Sequence, residues 1–208
     1  MKHPGKIVCV GRNYAAHAKE LGNAVPDRPL LFLKPPSSVI SSGDTIVLPP
    51  DSQQVEHEAE IGVVIGRRLA RGDETAARAA IAGITCVNDV TARDLQKLDV
   101  QFTRAKGFDT FCPFGPALLQ VPPDFIYSSL EVMCRVNGQE RQHGRAADMV
   151  FGIPMLVSYI SHVMTLEPGD LIATGTPEGV GPLRAGDVVE VEVTGVGVLR
   201  NPVASRGV

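Results

Sequence analysis

The stretch Val55-Glu56-His57-Glu58-Ala59-Glu60-Ile61-Gly62-Val63-Val64-Ile65 alternates acidic residues and then becomes apolar. Its apolar half predicts a central β-strand from Glu58 to Ile65. Side chains alternate between the two faces of a strand, so Glu56, Glu58 and Glu60 point the same way. Like charges beside a core are unfavourable unless a cation compensates them. Hard ions such as Mg²⁺ prefer carboxylate oxygens and can supply that charge. The alternative is a solvated acidic face of a sheet.

The length and composition indicate one α+β domain covering residues 1–208. A chain of 208 residues can bury a sizeable core without disulfides or structural metals. Its 21 glycines and 16 prolines are scattered along the chain, which is typical of many short strands joined by turns. We therefore expect mainly mixed and antiparallel sheet with a few short helices.

The charge and the cysteines exclude several classes of function. The net charge of −3 gives no electrostatic reason to expect nucleic acid or an anionic membrane as a partner. The four cysteines are widely spaced and form no CxxC pair, so buried free thiols are expected rather than disulfides or a zinc site. The N-terminal residues lack the pattern of a signal peptide or membrane span, which predicts a cytoplasmic protein.

Local signals place the main helices. Asn13 is predicted to cap a helix over residues 14–21 that ends at Gly22. Asp73 is predicted to cap an alanine-rich helix that runs to about Ile81, and residues 151–166 form the longest helix candidate. Asn137-Gly138 predicts a hairpin turn. Further strands are predicted at 7–10, 30–33, 46–48, 84–87, 130–136, 171–174, 188–193 and 196–199.

A third carboxylate and several polar side chains follow the strand at 84–87. Asp89 stands at its end, before a short helix for which Thr91-Ala92-Arg93-Asp94 is a capping-box pattern. Arg93 and Gln96 share one face of that helix, and Lys106 lies in a stretch predicted to be a loop. With Glu58 and Glu60, Asp89 would give three oxygen ligands, while the cations would suit an anionic substrate. The alternatives are a turn aspartate and plain surface charge.

Two further segments could take part in chemistry. His17 and Glu20 are three residues apart on the first predicted helix, and a histidine held by a carboxylate can act as a base on water. Residues 174–182, Thr-Gly-Thr-Pro-Glu-Gly-Val-Gly-Pro, could hold a carboxylate through hydroxyl and backbone N–H groups. They do not match a nucleotide-binding loop. A solvated helix face and a tight turn are the alternatives.

Six segments in order along nearly the whole chain resemble the fumarylacetoacetate hydrolase family, on its short, single-domain, acylpyruvase and fumarylpyruvate hydrolase-like branch. The segments are Gly11-Arg12-Asn13-Tyr14-Ala15-Ala16-His17, Leu31-Phe32-Leu33-Lys34-Pro35, His57-Glu58-Ala59-Glu60-Ile61-Gly62, Asp89-Val90-Thr91-Ala92-Arg93-Asp94, Lys106-Gly107-Phe108-Asp109-Thr110-Phe111-Cys112-Pro113 and Thr174-Gly175-Thr176-Pro177-Glu178-Gly179-Val180-Gly181.

The resemblance implies a mixed β-sandwich roll, a homodimer and a role for each site residue. It implies that Mg²⁺ or Mn²⁺ is bound by Glu58, Glu60 and Asp89, and it passes over Glu56. It implies substrate contacts from Arg12, Arg93, Gln96, Lys106 and Thr176, the last of which would hold the substrate carboxylate. It implies a water-activating pair, His17 and Glu20, on a mobile lid over residues 11–25.

The resulting hypothesis is hydrolysis of a carbon–carbon bond in a 2,4-dioxo acid such as an acylpyruvate or fumarylpyruvate. His17, polarised by Glu20, would activate water, while the metal and Lys106 would stabilise the departing pyruvate enolate. Enolate chemistry also serves decarboxylation of oxaloacetate and tautomerisation of a 2-hydroxydienoate, which are the alternatives. A non-catalytic dicarboxylate-binding protein is a third possibility from another class.

Overall fold

The structure is a computed structural model that describes residues 3–205. Its strands are β1 (Ile7–Gly11), β2 (Leu30–Lys34), β3 (Val39–Ile40), β4 (Ile46–Leu48), β5 (Val55–His57), β6 (Ala59–Ile65), β7 (Ile81–Asn88), β8 (Thr91–Ala92), β9 (Cys112–Gln120), β10 (Glu131–Val136), β11 (Gln139–Arg145), β12 (Leu171–Ala173), β13 (Gly181–Pro182), β14 (Val188–Val193) and β15 (Gly197–Ser205). Its α-helices are α1 (Ala15–Glu20), α2 (Glu74–Ala80), α3 (Arg93–Leu98), α4 (Thr103–Lys106) and α5 (Ile153–Val163).

Two large sheets pack face to face, and a small one joins them near the site. The seven-stranded sheet has the order β2-β1-β12-β6-β7-β9-β3, and the five-stranded sheet has the order β11-β10-β14-β15-β4. Strands β10, β14 and β15 of the second sheet pack on β6, β7 and β9 of the first. The third sheet is β13-β5-β8. Most neighbouring strands are antiparallel, but β1–β12, β15–β4 and β3–β9 are parallel. The predicted α+β sandwich roll with few short helices is confirmed.

The alternation of side chains places apolar residues on both faces of the larger sheet. In β1, Val8 and Val10 enter the main core between the sheets, while Ile7 and Cys9 enter a second cluster on the opposite face. A strand buried on both faces needs a continuous apolar run. This explains why β1 shows no polar alternation in the sequence.

The cysteines behave as predicted from their spacing. All four are buried and unpaired. Burial raises the pKa of the Cys86, Cys112 and Cys134 thiols to about 12. They are therefore inert packing groups rather than nucleophiles. Among residues 3–205, no helix is long and apolar enough to cross a membrane.

Two capping predictions were wrong. Helix α1 begins at Ala15, and Asn13 does not cap it. The Asn13 amide instead donates to the carbonyls of Phe151 and Thr174, at 3.1 and 2.8 Å. Thr91 does not cap α3 either, because its hydroxyl donates to the Asp89 carbonyl at 2.8 Å. In both cases a buried main-chain group elsewhere competes successfully for the side chain.

Other boundaries differ where pattern alone is a weak signal. The predicted strand at Glu58 begins one residue later, because the chain changes sheets between β5 and β6. Lys106 was expected in a loop but is the last residue of the single-turn helix α4. Asp73 does cap α2, accepting from the N–H of Ala76 at 2.8 Å. Asn137 turns the predicted hairpin between β10 and β11.

Candidate active site and metal centre

Three buried carboxylates meet where strands of the larger sheet end. Glu58 lies in the break between β5 and β6, Glu60 lies on β6, and Asp89 follows β7, the neighbour of β6. The Asp89 N–H donates to the Glu58 carbonyl at 2.9 Å, which fixes the two chain segments together. Each carboxylate offers an oxygen within 4.8 Å of the others. The acidic stretch is therefore a buried cluster and not a solvated sheet face.

Three buried cations surround these carboxylates. Lys106 donates to both Glu58 and Asp89, each at 2.7 Å. Lys34 donates to the other oxygen of Asp89 at 2.6 Å. Arg93 forms ion pairs with Glu58 and with Glu56, the latter at 2.8 Å. The four carboxylates Glu56, Glu58, Glu60 and Asp89 thus exceed the three cations by one negative charge.

The uncompensated charge is concentrated on Glu60. Burial alone would raise the pKa of Glu58, but the charges of Lys106 and Arg93 outweigh burial and hold it below its usual range. For Glu60 the balance is reversed: burial, followed by the charges of Asp89 and Glu58, raises its pKa well above the usual value, against smaller lowering effects of the Lys106 charge and the Gly175 N–H. Within residues 3–205 its carboxylate forms no ion pair, and it accepts one hydrogen bond, from the N–H of Gly175 at 2.7 Å.

This arrangement fits a divalent metal ion. The donor set consists only of carboxylate oxygens, which hard cations such as Mg²⁺, Ca²⁺ and Mn²⁺ prefer. Burying an unpaired carboxylate is costly, and a dication next to Glu60 removes that cost. The cluster would then carry one net positive charge, which suits an anionic ligand.

A histidine–carboxylate pair lies at the same cavity. The Nδ1 atom of His17 is 3.0 Å from Oε2 of Glu20, as their spacing on α1 predicts. The other carboxylate oxygen, Oε1 of Glu20, accepts from the N–H of Gly179 at 2.9 Å. Helix α1 is thereby fastened to the loop after β12. Because Glu20 engages Nδ1, the Nε2 atom of His17 is left for chemistry.

The cavity brings together nearly every residue that the sequence singled out. Its volume is about 230 Å³, which suits a small metabolite rather than a drug-sized ligand. Nine predicted site residues line it: Arg12, His17, Glu58, Glu60, Asp89, Arg93, Gln96, Lys106 and Thr176. The tenth, Glu20, contacts the cavity through His17. Residues 11–25 border the cavity as well, through Leu21 and Asn23. Their mobility as a lid stays a prediction.

The loop after β12 depends on glycine at two positions. Gly175 has a φ of +100°, and a Cβ there would lie 2.7 Å from Cβ of Asn13. Gly179 has a φ of +93°, and a Cβ there would lie 2.1 Å from the carbonyl oxygen of Arg141. Larger residues would be strained at both positions. These glycines allow the N–H groups to approach Glu60 and Glu20.

Three buried residues that contact the predicted site residues had no role assigned from the sequence. Lys34 is buried against Asp89, and a lysine that ends an apolar strand was the available signal. Glu56 holds Arg93, which suggests that it orients the arginine instead of binding metal. Gln142 reaches the site from β11 of the other sheet, and no sequence signal marked it.

The family model for the fumarylacetoacetate (FAA) hydrolase C-terminal domain matches residues 6–204. The chain belongs to the fumarylacetoacetate hydrolase family. This confirms the resemblance drawn from the six sequence segments.

Similar proteins carry names of several activities. The chain is 45% identical over 212 residues to the mitochondrial oxaloacetate tautomerase of Arabidopsis thaliana, covering 99% of this chain and 93% of that protein. It is 45% identical over 198 residues to the mitochondrial oxaloacetate decarboxylase of Dictyostelium discoideum, covering 92% and 89%. The crystal structure of a 5-carboxymethyl-2-hydroxymuconate delta-isomerase from Mycobacterium smegmatis matches with a TM-score of 0.91 at 47% identity, covering 99% and 81%.

These relatives identify the chain as an enzyme of the family and agree with its sandwich fold. Their names specify tautomerase, decarboxylase and isomerase activities. None of the three names specifies the hydrolysis of an acylpyruvate, so that reaction stays a prediction.

Proposed function

We propose that this protein is a metal-dependent enzyme that enolises a short 2-oxo dicarboxylic acid, with the keto–enol tautomerisation of oxaloacetate as its reaction. The observation that carries the proposal is the pairing of two features in one small cavity. The cavity is lined by the buried carboxylate cluster with Lys106 and also by His17, which is paired with Glu20. A cation site and a base facing one cavity are the parts that enolisation needs.

The roles of the residues follow from this arrangement. A divalent ion held by Glu58, Glu60 and Asp89 would supply the Lewis acidity that acidifies the carbon next to the 2-oxo group. His17 takes a proton from C3, and the electron pair moves to the 2-oxo oxygen, which is then protonated to give the enol. Lys106, whose pKa is raised by Asp89 and Glu58 against the effect of burial, stays charged and stabilises that oxygen.

The charges at the cavity favour a dicarboxylate over a monocarboxylate. Arg93 and Lys106 are occupied by carboxylates of the protein. Arg12 and Lys97 also line the cavity, and within residues 3–205 neither forms an ion pair. These two cations can receive the second carboxylate of a substrate such as oxaloacetate. Names of the two mitochondrial relatives support the same substrate.

A second candidate is cleavage of a carbon–carbon bond through the same enolate. The His17–Glu20 pair equally suits activation of water, which supports hydrolysis of an acylpyruvate or fumarylpyruvate. Decarboxylation of oxaloacetate, the activity named for the Dictyostelium relative, needs the metal but no base. Dependence on His17 separates decarboxylation from the other two reactions: His17→Ala should abolish tautomerisation and hydrolysis and spare decarboxylation.

The test is a substrate panel with Mg²⁺ or Mn²⁺ and with a chelator. Loss of the oxaloacetate enol band, pyruvate release and acylpyruvate cleavage are followed separately, each against the reaction without protein. We expect metal-dependent tautomerisation that Glu60→Gln and His17→Ala abolish. Arg68→Gln is the control, since Arg68 is an exposed residue paired with Glu167. Oxalate binding with Mg²⁺ but no turnover on any substrate would contradict the proposal and indicate a binding protein.

A further inference from the structure

Gln142 connects the two sheets directly behind the cavity. It is buried on β11, and its side chain contacts four other residues. Its Oε1 atom lies 3.0 Å from the N of Ala59 and 2.9 Å from Nδ1 of His57. Its Nε2 atom lies 2.7 Å from Oγ1 of Thr176 and 2.8 Å from the carbonyl oxygen of Pro177.

Two main-chain groups determine how this amide is oriented. The Ala59 N–H can only donate, so the atom facing it is the amide oxygen. The Pro177 carbonyl can only accept, so the atom facing it is the amide nitrogen. His57 must therefore donate from Nδ1 to Gln142. The Thr176 hydroxyl must accept from Gln142, since an amide nitrogen offers no lone pair for a hydrogen bond.

The direction of the Thr176 hydroxyl follows from this orientation. Its proton is donated to the Ala59 carbonyl, whose oxygen lies 2.9 Å from Oγ1. The hydroxyl thus has no proton left for a substrate. An anionic carboxylate requires donors, so the side chain of Thr176 cannot hold one in this arrangement.

The main chain of the same segment offers an alternative donor. Thr174 donates to the Ile61 carbonyl from its N–H and from its hydroxyl, at 3.3 and 2.8 Å. The N–H of Gly175 donates to Glu60. Among the donors of residues 174–176, only the N–H of Thr176 lacks an acceptor within residues 3–205. Thr176 lines the cavity, and a substrate carboxylate there would satisfy this donor.

We propose that Gln142 is a positioning residue that fixes the segment 174–177 so that the main-chain N–H of Thr176, and not its hydroxyl, donates to the carboxylate of the 2-oxo acid. The inference rests on the proposed function only in taking a 2-oxo acid as the ligand; it does not require that the protein catalyse tautomerisation. His57, the last residue of β5, supports the arrangement by donating to Gln142. Strand β11 supplies no other predicted site residue, so Gln142 gives this strand a role in ligand binding.

The test uses oxalate, a planar dianion that resembles a 2-oxo carboxylate, with saturating Mg²⁺. Binding is measured by calorimetry on the wild type, Thr176→Val, Gln142→Met and the matched control Gln139→Met on the exposed part of the same strand. Thr176→Val keeps the N–H and the branched shape, so its affinity should stay within about threefold. Gln142→Met releases the segment, so its affinity should fall by about tenfold or more, with the KM for oxaloacetate rising while kcat changes little.

A second measurement does not depend on the variants folding. In wild-type protein labelled with ¹⁵N-threonine, adding oxalate and Mg²⁺ should slow hydrogen exchange of the Thr176 amide. A tenfold loss of affinity in folded Thr176→Val, unchanged affinity in Gln142→Met, or an unprotected Thr176 amide in the complex would each overturn the proposal. The oxalate affinities and the protection of the Thr176 amide do not require turnover, so failure of the tautomerase assay would leave both interpretable.

Discussion

Glu60→Gln should stabilise the metal-free protein while abolishing its affinity for Mg²⁺. Glu60 is a buried carboxylate with no cationic partner within residues 3–205, and its raised pKa reflects that cost. The substituted amide has nearly the same shape, and its oxygen can still accept from the N–H of Gly175. The change therefore removes an unfavourable charge without opening a cavity. It also removes one of the three oxygens that a metal ion needs.

The magnitude follows from the cost of an uncompensated polar group in the interior. Leaving such a group unsatisfied costs about 1–3 kcal/mol in free energy of unfolding, and more when it is charged. For a chain of this size, each 1 kcal/mol shifts Tm by about 2–4 °C. We therefore expect Glu60→Gln to raise the Tm of the metal-free protein by about 3–10 °C at pH 8.

The neighbouring substitution Glu58→Gln is a matched control, for which we expect a decrease in the Tm of the metal-free protein. Glu58 forms ion pairs with both Lys106 and Arg93, so its neutralisation removes two buried ion pairs. Breaking a buried pair costs about 3–5 kcal/mol, and the lower end applies because each cation keeps another partner. The same chemical change two residues away should thus lower Tm by several degrees.

The pH dependence follows from the sign of the Glu60 shift. The folded state binds the Glu60 proton more tightly than the unfolded state, so this residue favours folding below about pH 4.3, its usual pKa. That contribution is lost as pH rises through the raised pKa. The difference in Tm between metal-free Glu60→Gln and the metal-free wild type should therefore increase with pH and disappear in acid.

Differential scanning calorimetry with a chelator and with Mg²⁺ measures all of these effects. Mg²⁺ at about 100 times its Kd should stabilise the wild type by about 2.7 kcal/mol and leave Glu60→Gln unchanged. A metal-free Glu60→Gln protein that melts below the wild type at pH 8 would refute the reasoning, because Glu60 would then be favourably compensated without metal.

Four further expectations can be checked with standard assays. Lys34→Met should lower the free energy of unfolding by about 3 kcal/mol, measured in urea, because Asp89 loses a buried partner. Glu20→Gln should reduce turnover while Mg²⁺ affinity by calorimetry stays within about threefold, because Glu20 orients His17 and does not belong to the carboxylate cluster. The buried cysteines, with their raised pKa values, should react with a thiol reagent only after denaturation. Light scattering should give twice the mass of the 22.1 kDa chain if the homodimer expected from the family forms.

The carboxylate cluster could be predicted because each part has a local signal. Glu58 and Glu60 stand at the start of an apolar strand, and Asp89 stands at the end of another. Adjacent antiparallel strands bring such ends together, as the pairing of Ala59 with Asn88 shows. The His17–Glu20 contact follows from helical spacing in the same way.

Strand β9 could not be predicted because its composition argues against a strand. It runs over nine residues and contains Pro113 and Pro116, whose nitrogens cannot donate to a ladder. Pro116 is tolerated because it lies where the pairing of β9 with β7 is irregular, between the partners of Ile84 and Cys86. Pro113 is the second residue of the strand and lies beside Ile40 of β3. Tertiary packing thus overrides a strong local signal.

Lys34 and Gln142 were missed for a different reason, which concerns distance along the chain. Lys34 meets Asp89 across 55 residues, and Gln142 meets Thr176 across 34 residues and between sheets. A sequence pattern reports neighbours on one element, but not which elements converge. The cost of burying four carboxylates nevertheless requires buried cations somewhere in the chain. The three buried cations, Lys34, Arg93 and Lys106, leave one of the four negative charges uncompensated. We therefore expect the folded protein to bind a divalent ion at this cluster.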